Sequence, residues 1–455
     1  MIAMLNRLLV IFLICLVSLE TILAPSDMLV PVQSFPFVTI GGFSFTISSL
    51  ILALLSLWVL VYTLPISFIR NLRVFSFAVP RAVSLGTLWF LFGLGGSLVL
   101  SVFSIAPSFT TQVRNLFSLA YVWWLFRVSR GNSHKEITTA VLVCTAGMST
   151  LSLLSFVSSG FAQWFSKFTV DTMYSTFQTR LFQVSTGAWS LHAGTIGLLL
   201  FCLAFSRILF AGGSFWWYVL AALGMGGGLA FIGKANVLMF AVIIVTFLVL
   251  SVRHSRLYHF LALAVTAIAL LAIALFVLSD MWSDRLGFIQ SYVVEGYLNI
   301  GRGQVEGDLS SGRFGLWAEY LADALRGYGT APNGFGNIPE GRPAAHNMVV
   351  FFAYHTGLLP TIGLVVAVVG FVGLLYRRAN VRLASGCAGA WRQIGCVVYV
   401  IAFLVQGLVL TNWFVYNAAF FAGVALALAC LDDNARMGRE VATHGVEQHS
   451  TVTIV

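Results

Sequence analysis

Apolar residues in this chain come in long, nearly unbroken runs separated by short polar connections. The runs lie near 5–24, 44–64, 83–105, 112–127, 137–157, 189–206, 215–232, 236–251, 260–279, 347–375, 394–411 and 413–431. A helix needs about 20 apolar residues to cross a bilayer. Lipid offers no partner to backbone N–H and C=O groups, so each run predicts a helix that satisfies them internally. The pattern predicts an all-α, polytopic integral membrane bundle of about 12 transmembrane helices in one domain, 1–431. Residues 432–455 follow as a short polar tail expected to be disordered and cytoplasmic. The first run differs from a cleaved secretory signal: its apolar core exceeds the roughly 7–15 residues of such a segment, and Pro25 would follow cleavage after Ala24. It is read as a permanent span.

Composition agrees with that solvent. Hydrophobic residues make up 59% of the chain, charged residues 9%, and the mean hydropathy is +0.93. An ordinary soluble globule carries roughly 25% charged residues and is excluded. Arginine supplies all but three of the 25 basic residues. With a cytoplasmic N-terminus, the inner connections carry Arg7; Arg70, Arg73 and Arg81; Arg127, Arg130 and Lys135; Arg207; Arg253 and Arg256; Arg377, Arg378, Arg382 and Arg392; then Arg436 and Arg439. Every inner connection is then basic, as the positive-inside rule requires. The net charge of +9 is a topology signal and does not indicate nucleic-acid binding. Cysteines fall in spans or on the inner side, with no zinc-type spacing and no disulfide framework outside.

The same orientation leaves 280–345 as one long loop outside the cytoplasm. Its carboxylates (Asp280, Asp284, Glu295, Glu306, Asp308, Glu319, Asp323, Glu340) outnumber its arginines (Arg285, Arg302, Arg313, Arg326, Arg342). A net acidic loop is no general anion trap, so an arginine that acts here acts at a defined point. The remainder are solvated surface ion pairs worth about 0–1 kcal/mol each.

The stretch "SSGRFGLWAEYLADALRGYGTAPNGFGNIPEGRPAAHN", 310–347, is the polar exception in an apolar chain. Ser310 or Ser311 can cap a helix beginning near Arg313, with Phe314, Trp317, Leu321 and Leu325 on one stripe and Gly327 placed to end it. Two readings of that helix stand: an amphipathic helix on the outer membrane surface, or a packing helix over the bundle. In the segment that follows, Gly329, Gly334, Gly336 and Gly341 with three prolines oppose regular structure and let backbone approach a ligand. His346 and Asn347 then open the next span. The partial positive charge of a helix N-terminus favours phosphate and a neutral imidazole there, so His346 is either a base or a hydrogen-bonded cap. His355, nine residues on, faces the other way and is read as structural, like His192.

Other basic residues on the outer side are Arg114, Lys167, Arg180 and Lys234. Membrane-edge cations are costly and point to function by default, although Arg114 suits a snorkelling anchor. The ordered set "SGRFGLW", "GYGTAPNGFG" and "AHN" with "HTGLLP" behind it resembles the bacterial O-antigen ligase/polymerase superfamily over about residues 180–375. The resemblance rests on an Arg-x-x-x-Trp helix (Arg313, Trp317), a Gly-x-Gly loop (Gly334, Gly336) and a His-Asn pair (His346, Asn347). It implies a polytopic inner-membrane glycosyltransferase facing the periplasm. In that family outer arginines contact the pyrophosphate of a polyprenyl-linked glycan, and the loop histidine activates the acceptor. Arg180 falls where one such arginine is expected. The chain departs from the family where Gly233-Lys234 replaces a Ser-Arg pair, because lysine lacks the bidentate fork that grips phosphate. It also lacks the Asn often seen after the Arg180 position.

The resemblance thus implies transfer of a glycan from undecaprenyl pyrophosphate to an acceptor glycan or a lipid A-core sugar. Its catalytic residues would be His346 and Arg313, and Arg180, Lys234, Trp317, Gly334, Gly336 and Asn347 would bind the donor. No cofactor is expected, and the partners are the lipid-linked donor, the acceptor and membrane lipids. The outer loop has no Asp-x-Asp pair, which speaks against a metal-bound nucleotide sugar as donor. Two other classes remain open: a transporter or flippase, and a non-catalytic scaffold of polysaccharide assembly. Coupled transporters usually place an ionisable group near the midplane, whereas the one carboxylate within a run here is Glu20, near its outer end. Single-cysteine labelling with an impermeant reagent is expected to reach positions in 285–340 from the periplasm and to leave 377–392 protected; the reverse pattern would put the donor on the wrong side.

Overall fold

A computed structural model of the chain describes residues 2–23, 38–40, 43–45, 47–58, 81–104, 134–158, 160–161, 164, 189–230, 234–277, 313–326, 347–409 and 416–430. In chain order these form α1 (Ile2–Leu23), β1 (Val38–Ile40), β2 (Phe43–Phe45), α2 (Ile47–Trp58), α3 (Arg81–Ser104), α4 (His134–Val157), α5 (Trp189–Ala211), α6 (Phe215–Leu229), α7 (Lys234–Arg253), α8 (Leu257–Val277), α9 (Arg313–Arg326), α10 (Met348–Thr356), α11 (Leu358–Ala384), α12 (Ala390–Gln406) and α13 (Tyr416–Cys430). The chain is a helical membrane protein.

Helix α5 is the central post. Residues 194–204 are all buried, and α1, α4, α6, α7, α12 and α13 pack around it. Helix α12 is a second internal helix, buried along most of its length from Ala390 to Gln406. Small residues allow this density, since apolar helices in lipid associate by close packing and gain no hydrophobic advantage over the tails. A Cβ at Gly224 of α6 would lie 2.4 Å from the Phe201 amide nitrogen of α5, and one at Gly227 2.5 Å from the Ser149 Cα of α4. Side chains at those positions would force α6 away from both neighbours. Val10, Leu13, Ile14 and Val17 of α1 belong to the same core.

Three sequence expectations need correction. Among the described residues, four helices are long and apolar enough to cross a membrane: Lys135–Ser155, Gly194–Ala211, Ala235–Arg253 and Leu358–Ala384. This does not match about 12 spans. Among the described residues, the runs at 44–64, 215–232, 394–411 and 413–431 carry helices of 12, 15, 17 and 15 residues, each shorter than the about 20 that a crossing needs. The run at 112–127 and the tail 432–455 lie outside the described residues.

The second correction is local. Residues 43–45 form a strand, paired antiparallel with β1 as Val38↔Phe45, Thr39↔Ser44 and Ile40↔Phe43. Their alternation of apolar and polar residues around Gly41-Gly42 is a hairpin pattern. The third concerns 347–375, which is broken at Gly357. Its φ of 94° and ψ of 154° fall in a region open essentially to glycine alone. Thr361 recovers the loose end, donating both its amide (3.2 Å) and its Oγ1 (2.8 Å) to the Gly357 carbonyl. Pro360, in the first turn of α11, needs no amide partner there.

The bundle has two chemically distinct ends. At one, Arg207 lies over the Trp391 ring at 5.4 Å, Trp217 meets Trp391 edge-on at 5.4 Å, and His254 bonds Asn380 at 2.8 Å. This gathers the basic ends of α5, α7, α11 and α12. The opposite end holds the start of α5, the start of α7 and the finish of α12. Glu20 has a defined structural role in α1. Buried, it accepts the Ser48 amide at 2.9 Å on Oε1 and the Ser48 hydroxyl on Oε2. A carboxylate at the start of α2 satisfies orphan donors and opposes the helix dipole. Glu20→Ala is expected to lower stability by about 1–3 kcal/mol, because it removes the carboxylate that accepts from both the amide and the hydroxyl of buried Ser48. Glu20→Gln, which keeps one acceptor, should lose less; thermal unfolding in detergent measures both.

Candidate functional site

The last turn of α12 organises the end of the bundle where Arg313, Asn347 and the start of α7 at Lys234 lie. Residues 407–409 form a tight turn at the end of α12, with Gly407 N, Leu408 N and Val409 N donating at 3.0 Å to the Phe403, Val405 and Gln406 carbonyls in that order. The final carbonyls of a helix have no partner within it. Here each of three consecutive ones receives a donor from the 313–350 region. Gly407 O accepts the Met348 amide at 2.9 Å, Leu408 O accepts Asn347 Nδ2 at 2.8 Å, and Val409 O accepts Arg313 Nη1 at 2.5 Å.

Asn347 works in two directions. It has extended backbone angles (φ −145°, ψ 123°) and is the N-cap of α10, its Oδ1 accepting the Val350 amide at 3.1 Å. Its Nδ2 holds Leu408, so the buried amide joins the start of one helix to the end of another. The cap of α10 is therefore Asn347. His346 precedes it and lies outside the described residues, as do Arg180, Gly334 and Gly336.

Arg313 opens α9, and the predicted helix is present as Arg313–Arg326. Its buried face differs from the predicted stripe. Phe314 is 65% and Leu325 67% exposed, whereas Tyr320 and Ala324 are fully buried. Arg313, Trp317, Tyr320 and Ala324 recur at spacings of four, three and four, which is one face of a helix. The face differs because Tyr320 and Ala324 pack fully although neither is a strongly apolar position. That face lies on a cluster of Phe90, Met348, Val350, Phe351, Phe352 and Tyr354, with Leu316, Trp317 and Leu321 half-buried against it. Tyr320 meets Tyr354 edge-on at 5.0 Å, and Phe90 meets Phe352 at 5.3 Å. Helix α9 therefore packs on α10, and Arg313 is carried in on the packed face at a helix C-terminus, where cations are favoured. A guanidinium has five N–H donors, so one carbonyl bond fixes its position and leaves capacity for an anionic acceptor.

Lys234 is the first residue of α7. Two residues on, buried Asn236 accepts through Oδ1 from Gln406 Nε2 at 2.8 Å and from Thr195 Oγ1 at 3.0 Å. Gln406 Nε2 also donates to Thr195 Oγ1 at 3.1 Å. Sequence reasoning missed Thr195, Asn236 and Gln406. The usable signal was a polar side chain within an apolar run, which must find a partner once buried. Arg313, Trp317, Asn347 and the backbone of Lys234 thus sit on one linked framework. No protein-family model matches the chain, and no curated protein matches it.

Asn347→Ala removes the cap of α10 and the bond to Leu408 together, and is expected to cost about 1–2 kcal/mol. Asn347→Asp keeps the cap but turns an acceptor toward the Leu408 carbonyl, and should recover only part of the loss in the same unfolding measurement.

Proposed function

We propose that this chain is a membrane-embedded glycosyltransferase of the O-antigen ligase/polymerase type, moving a glycan from undecaprenyl pyrophosphate to an acceptor sugar hydroxyl. The observation that carries the reading is the convergence of Arg313 and Asn347, separated in sequence by a glycine-rich loop, on adjacent carbonyls of the 407–409 turn. Lys234 begins its helix beside the same framework. The basic residues gathered at the opposite end support an inner-membrane orientation with this end toward the periplasm and both termini cytoplasmic. Glu20 caps α2, a role that fits a static bundle better than an ion-coupled carrier.

In this reading the acceptor oxygen bonds to the anomeric carbon as the carbon–oxygen bond to pyrophosphate breaks. The hydroxyl proton passes to neutral His346, and pyrophosphate leaves on the lipid with increased negative charge. Arg313 and Arg180 stabilise that charge as it develops, with Lys234 as a further point charge. Trp317, Gly334, Gly336 and Asn347 shape the donor pocket.

Arg313→Ala is expected to lose on the order of 10²–10³ in turnover per folded molecule, as for loss of one transition-state donor. Arg313→Lys should restore only part of it. His346→Ala should lose about 10²–10⁴ while still binding the lipid-linked donor. Transfer by purified protein, normalised to folded enzyme, measures these changes. Full transfer by both purified alanine variants would remove Arg313 and His346 from the catalytic set, whereas full complementation in cells by a normally folded His346→Ala protein would favour a scaffold. Mass spectrometry of lipid-linked glycans in a deletion strain assigns the subtype: long chains left on the carrier indicate a ligase, single repeat units a polymerase.

A further inference from the structure

We propose that Gln406 is a positioning residue that sets the place of the site through the 407–409 turn, a role that rests on the functional reading above. Gln406 is the last residue of α12 and is fully buried. Its side-chain amide points to α5 and α7, donating to Thr195 Oγ1 and to Asn236 Oδ1. Immediately after it, the main chain turns and offers three successive carbonyls to Met348, Asn347 and Arg313. One residue therefore separates two sets of hydrogen bonds, one anchored in the core and one holding the candidate site.

The anchor is directional and tightly enclosed. Thr195 is in the second turn of α5 and Asn236 in the first turn of α7, so the three side chains lock three helix ends together. Gly194 makes room for them, since a Cβ there would lie 2.4 Å from Asn236 Nδ2. Apolar side chains of similar size would fill this space equally well, but van der Waals contact does not define the rotation of a helix end as hydrogen bonds do. Polar groups in such a place specify one geometry. A turn rotated by an ångström would carry Arg313 and Asn347 with it, and misplacement on that scale is enough to cost on the order of 10²-fold in rate.

The test uses the full chain in nanodiscs and compares wild type, Gln406→Met and the apolar triple variant Thr195→Val, Asn236→Leu, Gln406→Leu. Hydrogen exchange reports on the Met348 and Val350 amides, both held by bonds of the site. Gln406→Met is expected to raise their exchange about tenfold, the effect of losing one or two ordinary hydrogen bonds. It should lower kcat on the order of 10²-fold with KM for the acceptor unchanged. The triple variant should regain the melting temperature but neither the slow exchange nor kcat. If Gln406→Met does not fold, Thr195→Val carries the same exchange test with a rise of about threefold. Unchanged exchange at Met348 and Val350 overturns the proposal, and so does recovery of both readouts in the triple variant. Should wild type show no glycan transfer, the glycosyltransferase reading falls, while the exchange result still decides whether Gln406 positions the turn.

Discussion

A helix that ends inside an apolar bundle leaves carbonyl groups that neither lipid nor its own backbone can satisfy. The end of α12 meets this constraint by recruiting three donors from a single distant segment: the Met348 amide, the Asn347 side chain and the Arg313 guanidinium. The arrangement answers an energetic need and brings Arg313 and Asn347 side by side. Under the proposed function, the same bonds would fix a cation at a defined point, as recognition of a pyrophosphate requires.

The remaining architecture serves this turn. Helix α5 passes through the core with small residues at its contacts, so α6 and α12 approach closely and the start of α5 lies beside the end of α12. The Thr195–Asn236–Gln406 network joins those ends where an apolar interface would leave their rotation less defined. On the outer flank, α9 closes over α10 through Tyr320, Ala324 and Trp317, and the break at Gly357 lets α10 sit as a short separate helix under it. A continuous span from Asn347 onward would fix the direction of α10 to that of α11. The break frees α10 to align its N-terminus with the 407–409 turn.

Much of this was legible from composition and spacing. Long apolar runs identified a helical membrane protein, the Ser-Gly-Arg start and Gly327 bracketed α9 within a residue, and the His-Asn pair marked the beginning of a helix. The buried face of α9 was displaced because tyrosine and alanine carry little hydropathy signal, although both pack well. The count of about 12 spans is not matched by the described residues, where four helices are both long and apolar enough to cross, because an apolar run of sufficient length and a helix of sufficient length are separate requirements. Gln406, Asn236 and Thr195 went unread because a polar residue in an apolar run has no partner in view until the helices are assembled.

Composition and short-range spacing suffice for the solvent, the helical class and the candidate set from Arg180 to Asn347, since each is a local property of the chain. Assembly of the helices is what makes Asn347 the cap of α10, puts Arg313 on the packed face of α9, and bonds both to carbonyls of a turn far away in the chain. Those facts depend on which helix ends lie side by side. That follows from close contacts among small residues and buried hydrogen bonds between distant segments, neither of which has a periodic signature along the chain.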